Sequence, residues 1–320
     1  MFICKMKKLT AALILITILN CALFAQKAEA AFSINPNLGI AFENHGEYIY
    51  SPSGKKLYSY LEYQVEPLFT AGLNVNTSFG PVQFSFGTDI AIPGKCGTMY
   101  DSDWNLLGVK TTYSIHENNA QQNYDFFMDL GWAFRFGRQN QFGIRPKMGI
   151  LYCYDSFFAQ NGYGWYGGMD YSKNGEDNSW DSEYARKAKK LYPIELARRS
   201  FYTFIGFDFS ANILSKLDLT AGSYISPYTR ISSTDHHHSK PNSDNDFYIN
   251  EEQACAFLRF KESLNISYAL TSKLNINLSG TWIFGSISKG PLYDFEELTT
   301  QVSGSDVNEV FIKLGADFRF

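Results

Sequence analysis

From Val310 onward, Val310, Ile312, Leu314, Ala316, Phe318 and Phe320 fall on one side of an extended chain, and Glu309, Lys313, Asp317 and Arg319 on the other. Side chains of a β-strand alternate faces with a period of two, so this stretch separates apolar from polar groups only as a strand. Its apolar face ends on an aromatic residue.

The same period recurs along the chain. Phe32, Ile34, Leu38, Ile40 and Phe42 form one apolar row; Leu61, Tyr63, Val65, Phe69, Ala71, Leu73 and Val75 form another, followed by Val82, Phe84 and Phe86. Tyr124, Phe126, Met128, Leu130, Trp132, Phe134 and Phe136 alternate with Asp125, Asp129 and Arg135. Phe142, Ile144, Met148 and Ile150 alternate with Arg145 and Lys147, and later rows pass through Ile205, Leu219, Ile266 and Leu278. A helix would not keep this period. The rows number about ten, an even number suited to a closed barrel with one face toward lipid and the other toward a polar interior. A strand ending on Phe320 also resembles the assembly signal of bacterial outer-membrane barrels. The expected fold is therefore all-β, a transmembrane antiparallel β-barrel of about ten strands. Composition alone also allows a secreted β-sandwich. Short links such as 137–140 and 271–273 read as periplasmic turns, and the polar stretches 159–194 and 234–252 as long extracellular loops.

Lys5, Lys7 and Lys8, the apolar run Leu9 to Phe24 and the small-x-small pattern Ala28-Glu29-Ala30 read as a cleavable signal peptide over residues 1–30, with a cut after Ala25 as an alternative. Asn20 before Cys21 is a poor lipoprotein context. Residues 31–320 then form one barrel domain in the cell outer membrane. The formal charge of −4 becomes about −7 once this leader and its charges are removed. Neither the charge nor any motif points to nucleic acid. Cys96, Cys153 and Cys255 lack CxxC spacing, so no disulfide framework or zinc site is expected, nor any metal or cofactor. The neighbouring imidazoles of His236, His237 and His238 read as a solvated loop or an adventitious metal site.

Two clusters place ionisable groups at i and i+2, on one face of a strand: Asp101 with Asp103, and Asp235 with His237. Met99-Tyr100-Asp101-Ser102-Asp103-Trp104 resembles the first motif of the omptin family of outer-membrane aspartyl endoproteases, and Ser232 to His237 resembles the second. Gly280-Thr281-Trp282 and Lys289-Gly290-Pro291-Leu292-Tyr293-Asp294 are similar to the family's penultimate strand and loop, so the likeness spans nearly the whole mature chain.

The resemblance implies a monomer that hydrolyses peptides or proteins outside the cell. His237 would be general base to a water held between it and Asp101, Asp235 would orient the imidazole, and Asp103 would support Asp101. Glu47 resembles the acid that receives a basic side chain before the scissile bond, but the second pocket acid of the family is replaced by Ser233. The family's lipopolysaccharide requirement does not carry over, because Leu151 to Phe158 holds Asp155 and no basic residue. These departures leave a second reading, an inactive barrel serving as an adhesin or host-protein binder.

Strand parity makes a sharper demand. Asp101 and Asp103 extrapolate inward from the row Val82, Phe84, Phe86. Asp235 and His237 extrapolate outward from Leu217, Leu219 and Ala221, so the catalytic arrangement requires an irregularity between Ser226 and Ser233, where Pro227 offers a break.

Overall fold

The computed structural model describes residues 30–167, 178–238, 247–294 and 296–320; the expected leader, apart from Ala30, lies outside them. The strands are β1 (Ala30–Tyr50), β2 (Leu57–Phe79), β3 (Val82–Ala91), β4 (Gly94–Trp104), β5 (Lys110–Trp132), β6 (Phe134–Phe136) and β7 (Phe142–Tyr166). They continue with β8 (Arg186–Leu191), β9 (Ile194–Leu214), β10 (Leu217–Ile225), β11 (Thr229–His237), β12 (Phe247–Cys255) and β13 (Arg259–Ala269). The last three are β14 (Leu274–Gly285), β15 (Ser288–Asp294) and β16 (Glu297–Arg319). Six successive pairs, such as β3 with β4 and β10 with β11, are halves of one pass, so the ring has ten staves. Every ladder is antiparallel. β16 pairs with β1 from Ser33↔Arg319 to Tyr50↔Val302, and its other edge pairs with β14 and β15. The expected closed barrel is thus realised, with β1 and β16 joined edge to edge.

The links at 80–81, 215–216 and 270–273 are short and share one end with the turn at 137–141. At the other end the strands extend into both stretches read as long loops. Much of 159–194 is strand, because β7 continues to Tyr166 and pairs with β8 from Gly162↔Leu191 to Tyr166↔Arg186. β11 and β12 remain paired as far as His237↔Phe247, which shortens the loop read over 234–252. These segments rise above the apolar band, so their outer faces are polar and the alternation that marks a strand in sequence is lost while the backbone ladder continues.

The barrel turns its polarity over at mid-height. In the lower half Leu38, Phe69, Ile90, Met148, Phe209 and Leu314 are exposed on the outside, as lipid-facing residues are. The lower lumen is polar, with Lys147 2.8 Å from Asp129 and Arg145 paired to Asp208, around cavities of about 460 and 320 Å³. In the upper half the apolar groups move inside: Leu61, Tyr63, Val65, Met99, Phe157 and Leu196 are buried together. The row read from Leu61 to Val75 as one face is therefore two. Leu61, Tyr63 and Val65 point into the lumen and Phe69 and Leu73 point out, with the reversal at Glu66-Pro67. An outer wall in water and an outer wall in hydrocarbon demand opposite alternation.

Leu314→Arg, at the middle of the apolar band, is expected to destabilise the barrel by about 2–4 kcal/mol in lipid, measured by urea-dependent folding into vesicles. Ala254→Arg, exposed on the upper outer wall, should change stability by less than about 0.5 kcal/mol.

Candidate active site

β4 keeps Asp101 and Asp103 inward by two irregularities that cancel. Below, Asp89 and Ala91 face the lumen; past Pro93 the alternation is out of phase, so that Lys95 points outward to Glu117 at 2.9 Å. A bulge at Cys96, between Lys95 and Gly97 in the ladder with β5, restores the phase. Gly97 there has φ +152, and a Cβ would lie 2.1 Å from the Gln64 carbonyl oxygen, so only glycine fits. Above it Met99, Asp101 and Asp103 stand opposite Tyr63, Leu61 and Ser59 of β2.

The break demanded between Ser226 and Ser233 is present. β10 ends at Ile225, β11 begins at Thr229, and four residues there span three on β9 (Ile225↔Ile205, Thr229↔Tyr202). Ser226 holds the kink, its hydroxyl donating to the Tyr228 carbonyl at 2.8 Å. The extra residue turns Ile231, Ser233 and Asp235 inward.

His237 Nε2 lies 2.7 Å from Asp235 Oδ2. Tyr63, buried on β2, donates its hydroxyl toward Asp235 Oδ1 at 3.5 Å and also feels the charge of Asp101. Ser114 on β5 reaches Asp101 Oδ2 at 3.5 Å and His116 Nε2 at 3.0 Å. Gly162 makes room for that ring, since a Cβ would sit 2.3 Å from His116 Cε1. Tyr63, Ser114 and His116 escape motif reading; their only sequence signal is a polar side chain in an inward row.

Burial and then the neighbouring Asp103 push Asp101 up to about 8, opposed by His237. Burial also raises Asp103. For His237 burial favours the neutral ring, but Asp235, followed by Asp101 and Asp103, outweighs it and lifts the imidazole to about 9. Burial, with His237 adding, holds His116 down to about 4. Near neutral pH the cluster thus holds an imidazolium against a carboxylate pair that retains a proton.

Glu47 sits elsewhere in character. It is 3% exposed, and its Oε1 lies 3.4 Å from Nη2 of Arg198, which is itself 0% exposed. Arg198 also donates to the Gly46 carbonyl at 3.1 Å and approaches His45 Nδ1 at 3.4 Å. In the sheet Ser233 is flanked by Arg198 on β9 and by buried Glu251 on β12. Burial, then Asp235, raise Glu47 to about 7, with Arg198 opposing. The acid expected to meet a substrate cation is therefore already paired within the chain. Leu151 to Phe158 also gains a cation from its neighbour strand, because Arg199 lies 5.5 Å over the Tyr154 ring. Among the described residues Cys96, Cys153 and Cys255 are free thiols.

No protein-family model matches this chain, and no curated protein sequence does. Among solved structures it is similar to the outer membrane protease OmpT from Escherichia coli, with a TM-score of 0.76 and 16% identity over 92% of this chain and 100% of that one. The fold is that of an outer-membrane β-barrel. Weaker likenesses are to OprG from Pseudomonas aeruginosa (TM-score 0.35, 12% identity, 92% of this chain and 98% of that) and to the translocator domain of NalP from Neisseria meningitidis (0.34, 8%, 98% of each).

The His237 ring is expected to titrate near 9 by NMR. Asp235→Asn should bring it down, because loss of the largest opposing carboxylate leaves only Asp101 and Asp103 against burial.

Proposed function

We propose that this chain is an outer-membrane endopeptidase acting at the upper mouth of the barrel, outside the cell. The carrying observation is the 2.7 Å contact of Asp235 with His237, turned inward by the Ser226 kink to face Asp101 and Asp103. In this reading neutral His237 takes a proton from a water held between it and Asp101, and the water oxygen attacks the scissile carbonyl. Asp235 fixes the ring and stabilises the imidazolium that forms. Protonated Asp101 donates to the developing oxyanion or holds the water, and Asp103 sustains that proton. The likeness to OmpT, a protease, supports the assignment. A lipid headgroup is the expected partner of the Arg199–Tyr154 wall.

A substrate preference for basic residues follows from Glu47 only if its carboxylate is available. With Arg198 against it, the pocket offers at most one net negative charge from Glu47 and Glu251 together, in a desolvated setting where pairing decides binding. We therefore assign this protease no marked preference for Arg or Lys. The same internal pairing favours a second reading, a non-cleaving barrel that binds host proteins through its rim.

Refolded protein tested on a diverse peptide library separates the two. Cleavage is expected, with basic residues before the scissile bond favoured by no more than about tenfold, which corresponds to about 1.4 kcal/mol. His237→Ala and Asp101→Ala should each lower turnover by roughly 10²–10⁴-fold. Unchanged cleavage by both variants removes the mechanism, and no cleavage by the wild type in any lipid supports the binder.

The rate should rise with pH as His237, raised to about 9, loses its proton and fall as Asp101, raised to about 8, loses its own, giving a bell with its maximum between the two values. The pH profile of kcat/KM, which reports the free enzyme, checks this, and Asp103→Asn should shift it to lower pH by removing an anion that favours both the imidazolium and the protonated Asp101.

A further inference from the structure

The strand that turns Asp235 inward presents His236 and His238 on its outer face. His236 stands directly opposite Glu195 of β9, and His238, just past the end of β11, is tied there by its backbone N–H donating to the Pro193 carbonyl at 3.0 Å. The two imidazoles are close, with ring centroids 3.8 Å apart, and His238 Nε2 lies 3.5 Å from Glu195 Oε2. One donor atom from each of Glu195, His236 and His238 falls within 4.8 Å of the others. The rings are braced, His236 stacked 4.0 Å from Tyr248 and His238 edge-on to Phe158.

We propose that Glu195, His236 and His238 form a binding site for a borderline divalent transition metal, Zn²⁺ or its analogues, on the outer wall of the upper barrel. The donor set decides the class. Two neutral imidazoles and one carboxylate suit Zn²⁺, Co²⁺, Ni²⁺ or Cu²⁺, whereas Ca²⁺ and Mg²⁺ select all-oxygen ligands. A strand supplies the spacing, since residues i and i+2 share a face and chelate as a unit, and the paired strand supplies the third ligand. Bonds of about 2.0–2.2 Å imply donor separations near 3.4 Å in a tetrahedron, so small side-chain rotations close the site and leave a fourth position to water. A bound ion would tie the end of β11 to β9, on the opposite face of the strand from His237.

The test is titration of tag-free, refolded protein with Co²⁺, followed by its visible absorption. One equivalent is expected to bind and to be displaced by Zn²⁺. His236→Ala, His238→Ala and Glu195→Gln should each weaken binding by about tenfold or more while keeping the folded mobility of the unheated barrel on gels. His237→Ala, on the inner face, should bind Co²⁺ as the wild type does. Absence of saturable binding, or binding that survives His236→Ala and His238→Ala, overturns the proposal. The readout does not depend on peptidase activity.

Discussion

The hydrogen-bonded seam between β1 and β16 is the constraint on which the rest of the molecule depends. In hydrocarbon an open sheet edge leaves N–H and C=O groups unpaired at several kcal/mol each, so the first and last strands must meet. Their register, from Ser33↔Arg319 to Tyr50↔Val302, puts Glu47 opposite Ser305 and Gly46 opposite Asp306. It thereby fixes where Arg198, reaching across from β9, finds the Gly46 and Asp306 carbonyls.

A ring closed in this way must still satisfy two solvents. Over its lower half the outside is apolar and the lumen carries charges in pairs. Over its upper half the outside is polar and the lumen holds Leu61, Tyr63, Met99 and Phe157. A strict two-residue alternation cannot serve both, and the chain resolves the conflict with local irregularities: Glu66-Pro67 on β2, the bulge at Cys96 and the kink at Ser226. Each lies at the level where polarity reverses or the site begins. The candidate active site is built directly on these irregularities, which turn carboxylates and an imidazole into an apolar setting where charge interactions are strong.

Burial of that kind explains the protonation pattern. Asp101 retains its proton because desolvation and Asp103 act together, and His237 keeps its charge because three carboxylates outweigh the same desolvation. Where a cation could be supplied internally, as by Arg198 beside Glu47, the pocket acid is neutralised without a substrate. The two faces of β11 divide the polar chemistry, with Asp235 inward and His236 and His238 outward.

Strand type, approximate stave number, lipid-facing rows and the two ionisable clusters are legible in the chain, because period-two alternation and i, i+2 spacing are local properties. Even the break before Asp235 follows from parity, since a strand cannot change face without an extra residue. Tertiary structure alone decided which half of an apolar row faces in, as Leu61 and Phe69 demonstrate, because the sign of burial depends on what lies outside the wall at that height. It alone placed Arg198 against Glu47 and Glu195 beside His238, contacts between strands whose register comes from closing the ring and cannot be read along one strand.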